Sequence, residues 1–546
     1  MIIKKIKFEL ILLSILIVFF FHQSLNIFIG GNTYDELFLI YESGNIYNKI
    51  VLFFTDNSNP KLLEIGVNEY YGFLVILPIY ILSNSSIINT FLYKFYSLFD
   101  GLYGTNPDEI LYQNMHIFLT VYVLIMLYLI FRKLKFFYSA EVSLFTIVFL
   151  ILYPSFNGQS MFNIKDLPYA LQLFLATLYL AEFNSKLVNK NEINNLKVLI
   201  VGFNVGLACL IRINAYPFIG LVSVFYLFKI NKNMIKNFFI KNTSVFLVSL
   251  IFLFLGTPSS WKSPLIWLRD ALIHQFSYSW SGYTITNGQF IEATNINPTY
   301  LIQWLFFRSP INYIFGIIIF SIFFTAKRRV NEFTIYSFYF FVVVNLLFIL
   351  FRPAAYDGIR QFLFLLPFMV VMFVESVYLI GKNKKTVFFL FSISIFYITY
   401  SQYGLGPYKY IYLNEFANTQ SIDRYCEKID GCGNWPTDYY AFSGKELAMK
   451  IDSLDIDKIL ICKPPQAVTS YINSDIKVYR SIQEIKNDEI KTFFVTTFHR
   501  PRPFNDSCRF DINNVDYKCV LVDSLSTKIR RQSISLSYLS KCNVSY

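Results

Sequence analysis

Two acids, Asp35 and Glu36, follow the first long apolar run of the chain, and a third, Asp166, opens a later one. A carboxylate held at a membrane face is costly to desolvate, so its position there points to chemistry. That chemistry could be acceptance of a proton from an attacking hydroxyl or orientation of a polar substrate. Asp35 is the candidate base, Glu36 a residue that shapes the site, and Asp166 the group that orients acceptor or donor. Asp35 and Asp166 are also the acids that would hold a divalent cation if the reaction uses one. The plainer use of Asp35 is as a cap for the helix that follows. Three cations accompany the acids: Lys165 beside Asp166, Arg212 at the end of the fifth apolar run, and Arg360 at the start of the tenth. Guanidinium groups grip phosphate bidentately, so these residues are candidates for binding a lipid phosphate. Arg360 could instead pair with Asp357 or a lipid head group. His116, at the outer end of the second run, is a further candidate whose plainer reading is a packed core histidine.

These residues are set among long apolar elements. Of the 546 residues, 55% are hydrophobic and only 15% charged, the balance of an integral membrane protein rather than a soluble one. Apolar runs at 8–29, 114–131, 139–153, 167–183, 196–211, 213–228, 243–256, 311–326, 333–351, 361–380 and 385–400 predict eleven transmembrane helices. The positive-inside rule sets their direction. With Lys4, Lys5 and Lys7 cytoplasmic, the inner loops hold Arg132, Lys133 and Lys135; Lys186, Lys190 and Lys197; Lys229, Lys232, Lys236 and Lys241; Lys327, Arg328 and Arg329; and Lys382, Lys384 and Lys385. The formal charge of +12 is therefore a topology signal and gives no reason to expect nucleic acid. Residues 71–82 are apolar but short and contain Pro78, so they read as an interfacial or re-entrant segment of a long outer loop, 32–113. A second long outer loop covers 257–310. The first run has no small-residue cleavage site, so it reads as an uncleaved span rather than a signal peptide.

The division that follows is a transmembrane domain over 1–400 and an extracytoplasmic α/β domain over 401–546. Strand-like runs at Lys458–Cys462, Ile476–Tyr479 and Thr492–Phe498 alternate with helix-like stretches such as Ser443–Ile451. Six of the seven cysteines (Cys426, Cys432, Cys462, Cys508, Cys519 and Cys542) fall here, which suits disulfides in an oxidising compartment. The plainer alternative is free cysteines in a packed domain. No Cys/His cluster has zinc spacing.

The acids belong to longer motifs: Tyr34-Asp35-Glu36 after the first span, and Phe162-Asn163-Ile164-Lys165-Asp166-Leu167-Pro168 between the third and fourth. Further along come Gly206-Leu207-Ala208 through Arg212, Pro258 to Pro264 with Trp261, Pro298-Thr299-Tyr300-Leu301, Tyr356-Asp357-Gly358-Ile359-Arg360, Leu413-Asn414-Glu415 and Thr437-Asp438-Tyr439-Tyr440. In this order, over about residues 30–450, the chain resembles bacterial relatives of the dolichyl-phosphate-mannose protein mannosyltransferases and the lipid A aminoarabinose transferases. That resemblance implies a C-type glycosyltransferase fold. It also implies an inverting transfer, on the outer face of the inner membrane, from a polyprenyl-phosphate-linked sugar to a protein, lipid or glycan acceptor. Gln361, Asn114 and Tyr440 stand where the family pattern has His, Arg and Trp, which leaves the sugar and the acceptor open. A polysaccharide polymerase or ligase using lipid-diphosphate donors would not need the acid pair after the first span. A transporter would show duplicated halves, and none is visible.

Overall fold

The computed structural model describes residues 2–62, 64, 70, 75–96, 107–189, 193–277, 280, 282–417, 435–461, 464–473, 475–498, 517–530 and 532–544. All eleven apolar runs are helical, and the protein is a polytopic membrane protein with a small C-terminal sheet region. Five helices are long and apolar enough to cross a membrane by themselves: Lys7–Ile29, Glu109–Leu134, Lys232–Leu255, Glu332–Phe351 and Arg360–Ile380. Counting two bent pairs as single spans raises the number to seven, short of the eleven expected. The shortfall is partly one of length. Ala140–Leu152 has 13 residues, a rise of about 20 Å against a hydrocarbon core of about 30 Å. The segment at 71–82 is helical over Ile76–Ser83 and turns by 74° into Ser86–Lys94, while Tyr300–Arg308 turns by 117° into Ile311–Thr325.

One helix organises the bundle. Asp166–Val188 is buried on almost every side, as expected of a helix that is apolar all round. It packs against Pro107–Leu134, Asn195–Ile211, Ala215–Leu227 and the short turn Arg360–Leu365. Pro168 lies in its first turn, where a missing N–H costs nothing, so Asp166 is fixed at its tip near the bundle axis. The far end of the same helix carries Glu182, which pairs with Lys133 and Lys186. Lys135 meets Glu9 at 2.6 Å and Lys229 meets Glu332 at 2.9 Å. The loop cations assigned to the inner face thus pair at the opposite end of the helix from Asp166.

The tail folds around a five-stranded sheet in the order Lys477–Tyr479, Lys458–Ile461, Thr492–Phe498, Gln532–Val544, Tyr517–Ile529. The first three strands are parallel, and the last two add antiparallel. The expected helix appears as Gly444–Asp452, with Leu447 and Ile451 buried. Cys519 and Cys542 face each other across the last hairpin and form a disulfide. Cys426, Cys432, Cys462 and Cys508 lie outside the described residues, and Cys209 is free and buried.

Residues 405–413 and 435–442 pack into the same apolar core as the helices. Two glycines make this possible. A Cβ on Gly30 would sit 2.0 Å from the Phe442 ring, and one on Gly158 2.2 Å from the Tyr410 nitrogen. Arg308 anchors the junction: fully buried, it donates to the carbonyls of Tyr410 at 2.9 Å and Tyr412 at 3.1 Å. The expected topology is checked with reporter fusions. One after Lys385 should read as cytoplasmic and one after Tyr403 as outside; a cytoplasmic reading after Tyr403 would overturn the eleven-span topology and with it the outer placement of Asp35 and Asp166.

Candidate functional site

Arg360 is the hub of the site. It starts a 3₁₀ turn after Asp357 and Gly358, both at positive φ (54° and 73°). Asparagine and aspartate tolerate that region better than other side chains, and glycine occupies it freely. The Tyr300 hydroxyl fastens the turn, accepting from the Gly358 N–H at 3.1 Å and lying 3.2 Å from the Gly358 carbonyl. Held this way, the buried guanidinium pairs with Asp35, with Asp357 at 3.0 Å and with Asp166 at 3.3 Å. Arg212, which ends the helix Asn195–Ile211, pairs with the other oxygen of Asp166. Acids expected to act on substrate and cations expected to bind phosphate therefore form one ionic network. In the absence of a ligand Arg212 and Arg360 engage carboxylates, and the Arg360–Asp357 pair exists alongside the others. Their planar forks offer several donors each, which lets one guanidinium serve three acids.

Asp35 stands at the N-cap position of Glu36–Thr55 but makes no side-chain cap bond. Its carboxylate goes to Arg360 instead, so the helix-cap reading does not describe it. Glu36 turns the other way. It accepts from the Thr33 N–H and meets His116 Nε2 at 2.5 Å, with both side chains buried. His116 is thus neither a plain core histidine nor a residue of the Arg360 network; it holds the acid that fixes the Thr33–Glu36 turn. Glu109, in the helix Pro107–Leu134, pairs with Lys445 at 2.6 Å.

Lys165 precedes Asp166 on the pocket wall. Burial, reinforced by the Arg212 charge, pushes its ammonium down to about 8. The pocket is a small cleft lined by Asp35, Glu36, Phe162, Lys165 and Tyr440, among others. Tyr440 comes from the tail. Its ring lies 5.1 Å from the Arg360 guanidinium, its hydroxyl accepts from Asn163 at 2.9 Å and donates to Gln159 at 3.1 Å, and its carbonyl accepts from the Tyr34 N–H at 3.0 Å. Asn163 in turn accepts from the Asp166 N–H at 2.8 Å. Burial raises the Tyr440 hydroxyl well above its usual range, so it works as a neutral donor and acceptor.

Arg360 lies between Asp35 and Asp166, and among the described residues no group of three or more His, Cys, Asp or Glu gathers as metal ligands do. Tyr440, Gln159 and Asn163 were not singled out as site residues by sequence, because no local spacing places residue 440 beside residue 163. The motif around Tyr440 was the one available signal.

No protein-family profile and no curated protein matches the chain. Among solved structures, the crystal structure of ArnT from Cupriavidus metallidurans in the apo state aligns over 97% of this chain and 97% of its own, at 8% identity and a TM-score of 0.48. That is a likeness of overall shape only. The site is read from its own residues.

Tyr440→Phe keeps the ring over Arg360 but removes one hydrogen bond from each of Asn163 and Gln159, which remain bonded to each other at 2.7 Å. The variant should lose about 0.5–1.5 kcal/mol of stability, read as a lowered melting temperature in detergent. An unchanged melting temperature would show that the hydroxyl does not brace the site.

Proposed function

We propose that the protein transfers a sugar from a polyprenyl-phosphate donor to an acceptor hydroxyl on the outer face of the inner membrane. The observation that carries this reading is the convergence of Asp35, Asp166, Arg212 and Arg360 in one ionic network, beside a pocket that Asp35 and Lys165 line, from segments that leave apolar helices. A lipid-linked donor needs cations near the bilayer to hold its phosphate, and a hydroxyl acceptor needs a base beside it. Both are present within one network. The acid pair after the first span also favours this reading over a lipid-diphosphate polymerase or ligase, or a transporter.

In the proposed reaction the acceptor oxygen attacks the anomeric carbon as Asp35 takes its proton. The bond from that carbon to the phosphate oxygen breaks on the opposite side, which inverts the anomeric configuration. The leaving group is a polyprenyl phosphate and gains negative charge, so Arg212, Arg360 and Lys165 stabilise it without a general acid. The incoming phosphate competes with carboxylates for the guanidinium donors, and a phosphate that takes Arg360 releases Asp35. Asp166 keeps the cations in place, and Asp357 sets the angle of Arg360. In the family that the sequence resembles, the sugar would be a hexose or aminopentose of the mannosyl or aminoarabinosyl kind.

The direct test is incubation of the purified protein with a panel of undecaprenyl-phosphate sugars, reading release of undecaprenyl phosphate, together with the lipid-linked sugar that accumulates in a deletion strain. No release and no accumulation would reject the transfer. Within an active preparation, Asp35→Asn should lower turnover by roughly a hundredfold or more. Undecaprenyl phosphate should bind that variant as well as before or more tightly, because Arg360 loses a competing acid. Nearly normal turnover would remove Asp35 as the base. Arg212→Ala should weaken undecaprenyl phosphate binding by about 1.5–3 kcal/mol, the loss of a charge-assisted contact.

The depressed ammonium of Lys165 gives a pH signature. It is cationic below about 8 and neutral above, so undecaprenyl phosphate binding should weaken as pH rises through that value. Lys165→Gln should bind weakly at low pH and lose the step. An unaltered step in the variant would assign it to another group.

A further inference from the structure

A second polar cluster, Lys409 with His22 and Asn26, lies outside the pocket and shares no residue with the proposed transfer site. Lys409 lies in the turn Gly406–Ile411, which packs beside the first span, and its Nζ is 2.6 Å from Nε2 of His22. Asn26 Nδ2 approaches the same ring nitrogen at 3.3 Å. Two donors on Nε2 make it the acceptor, so the ring proton sits on Nδ1 and supplies a further donor. No carboxylate pairs with Lys409 among the described residues, and burial pushes its ammonium down to about 8. An ammonium withdrawn from water without an anion is unfavourable, whereas an arriving anion would satisfy it.

The surroundings indicate which anion. His22 is exposed on the outward side of the first span, between the exposed apolar side chains of Val18, Phe21 and Leu25. That side faces lipid. Exposed Tyr400 and Tyr403 stand just before the turn that carries Lys409, and tyrosines of this kind collect at the head-group level. Nothing lies within 4 Å of where a Gly406 side chain would begin, so the turn leaves space beside the lysine. We propose that Lys409, with His22, seats the phosphate of an anionic lipid against the first span. Lys409 gives one N–H to His22 and keeps two for phosphate oxygens. This inference does not depend on the transfer reading, since it concerns a different set of residues and a bound lipid that is not consumed.

The full-length protein, purified in detergent, is titrated with phosphatidylglycerol, phosphatidylcholine or inorganic phosphate. Bound lipid is read by native mass spectrometry and protection by melting temperature. Phosphatidylglycerol should be retained in preference to phosphatidylcholine. Lys409→Met should weaken that retention about tenfold, the effect of one lost charge-assisted contact, and Lys409→Arg should keep it. Equal retention of the two lipids, or wild-type retention by Lys409→Met, would overturn the site. Protection by inorganic phosphate matching that by phosphatidylglycerol would also overturn it as a lipid seat, leaving a site for the free ion. If Lys409→Met does not fold, His22→Phe at its exposed lipid-facing position gives the same reading: loss of the preference supports the seat, and an unchanged preference rejects it.

Discussion

The constraint on which the rest of the structure depends is the compensation of three acids by two guanidinium groups, with Arg360 reaching all three and Arg212 sharing Asp166. Asp35 comes from the end of the first span, Asp166 from the tip of the central helix, and Asp357 from the turn that carries Arg360 itself. Brought together without Arg360, these carboxylates would repel one another in poorly solvated surroundings. Removing one member of a buried ionic set leaves the others uncompensated, which is why such networks tolerate loss badly. The geometry of the bundle and the electrostatics of the site are therefore one problem. Helices that did not bring Arg360 to the tip of Asp166–Val188 would leave charges stranded.

Around that hub, the tail completes the arrangement. Asp438, fully buried, accepts from the backbone of Phe442 at 2.9 Å and Ser443 at 3.1 Å and from the Tyr410 hydroxyl at 2.5 Å. Those bonds shape the turn that presents Tyr440 to the pocket and Phe442 to Gly30. Lys445 then closes the contact by donating to the carbonyl of Phe28, at the C-terminal end of the first span, at 2.6 Å. A cation at a helix C-terminus is favourable because the last carbonyls carry partial negative charge. The same few residues thus fold the tail, attach it and line the pocket.

Much of this was legible in the sequence, at the level where signals are local. Apolar runs located the helices, Pro168 marked a helix start, and short β-rich runs located three strands of the tail. The candidate acids and cations were also recognisable singly, since charge beside an apolar run stands out. Their pairing was not. Arg212 meets Asp166 across 46 residues and Arg360 meets Asp35 across 325, and no periodicity reaches that far. The lengths of the individual helices were illegible for a related reason, because an apolar run does not reveal whether its helix is full length or bends. The long C-terminal hairpin went unread although Ser533 to Tyr538 alternates serine with Ile534, Leu536 and Tyr538, all buried. Serine in every second place lowers the apparent apolarity of a strand that is buried on both faces from Leu536 to Ser540.

The position of Tyr440 also bears on when the protein becomes functional. Every apolar run of the chain is made, and can enter the bilayer, before residues 435–445 leave the ribosome. Until that stretch is translocated and docked, the pocket lacks one wall, the Tyr34 N–H lacks its acceptor and Lys445 has not reached Phe28. A chain stopped between the last apolar run and Tyr440 would insert and yet lack a finished site. Docking of residues 435–445 is thus the step that assembles the pocket, so a chain that has made all its apolar helices still lacks a finished pocket until its tail has folded onto them.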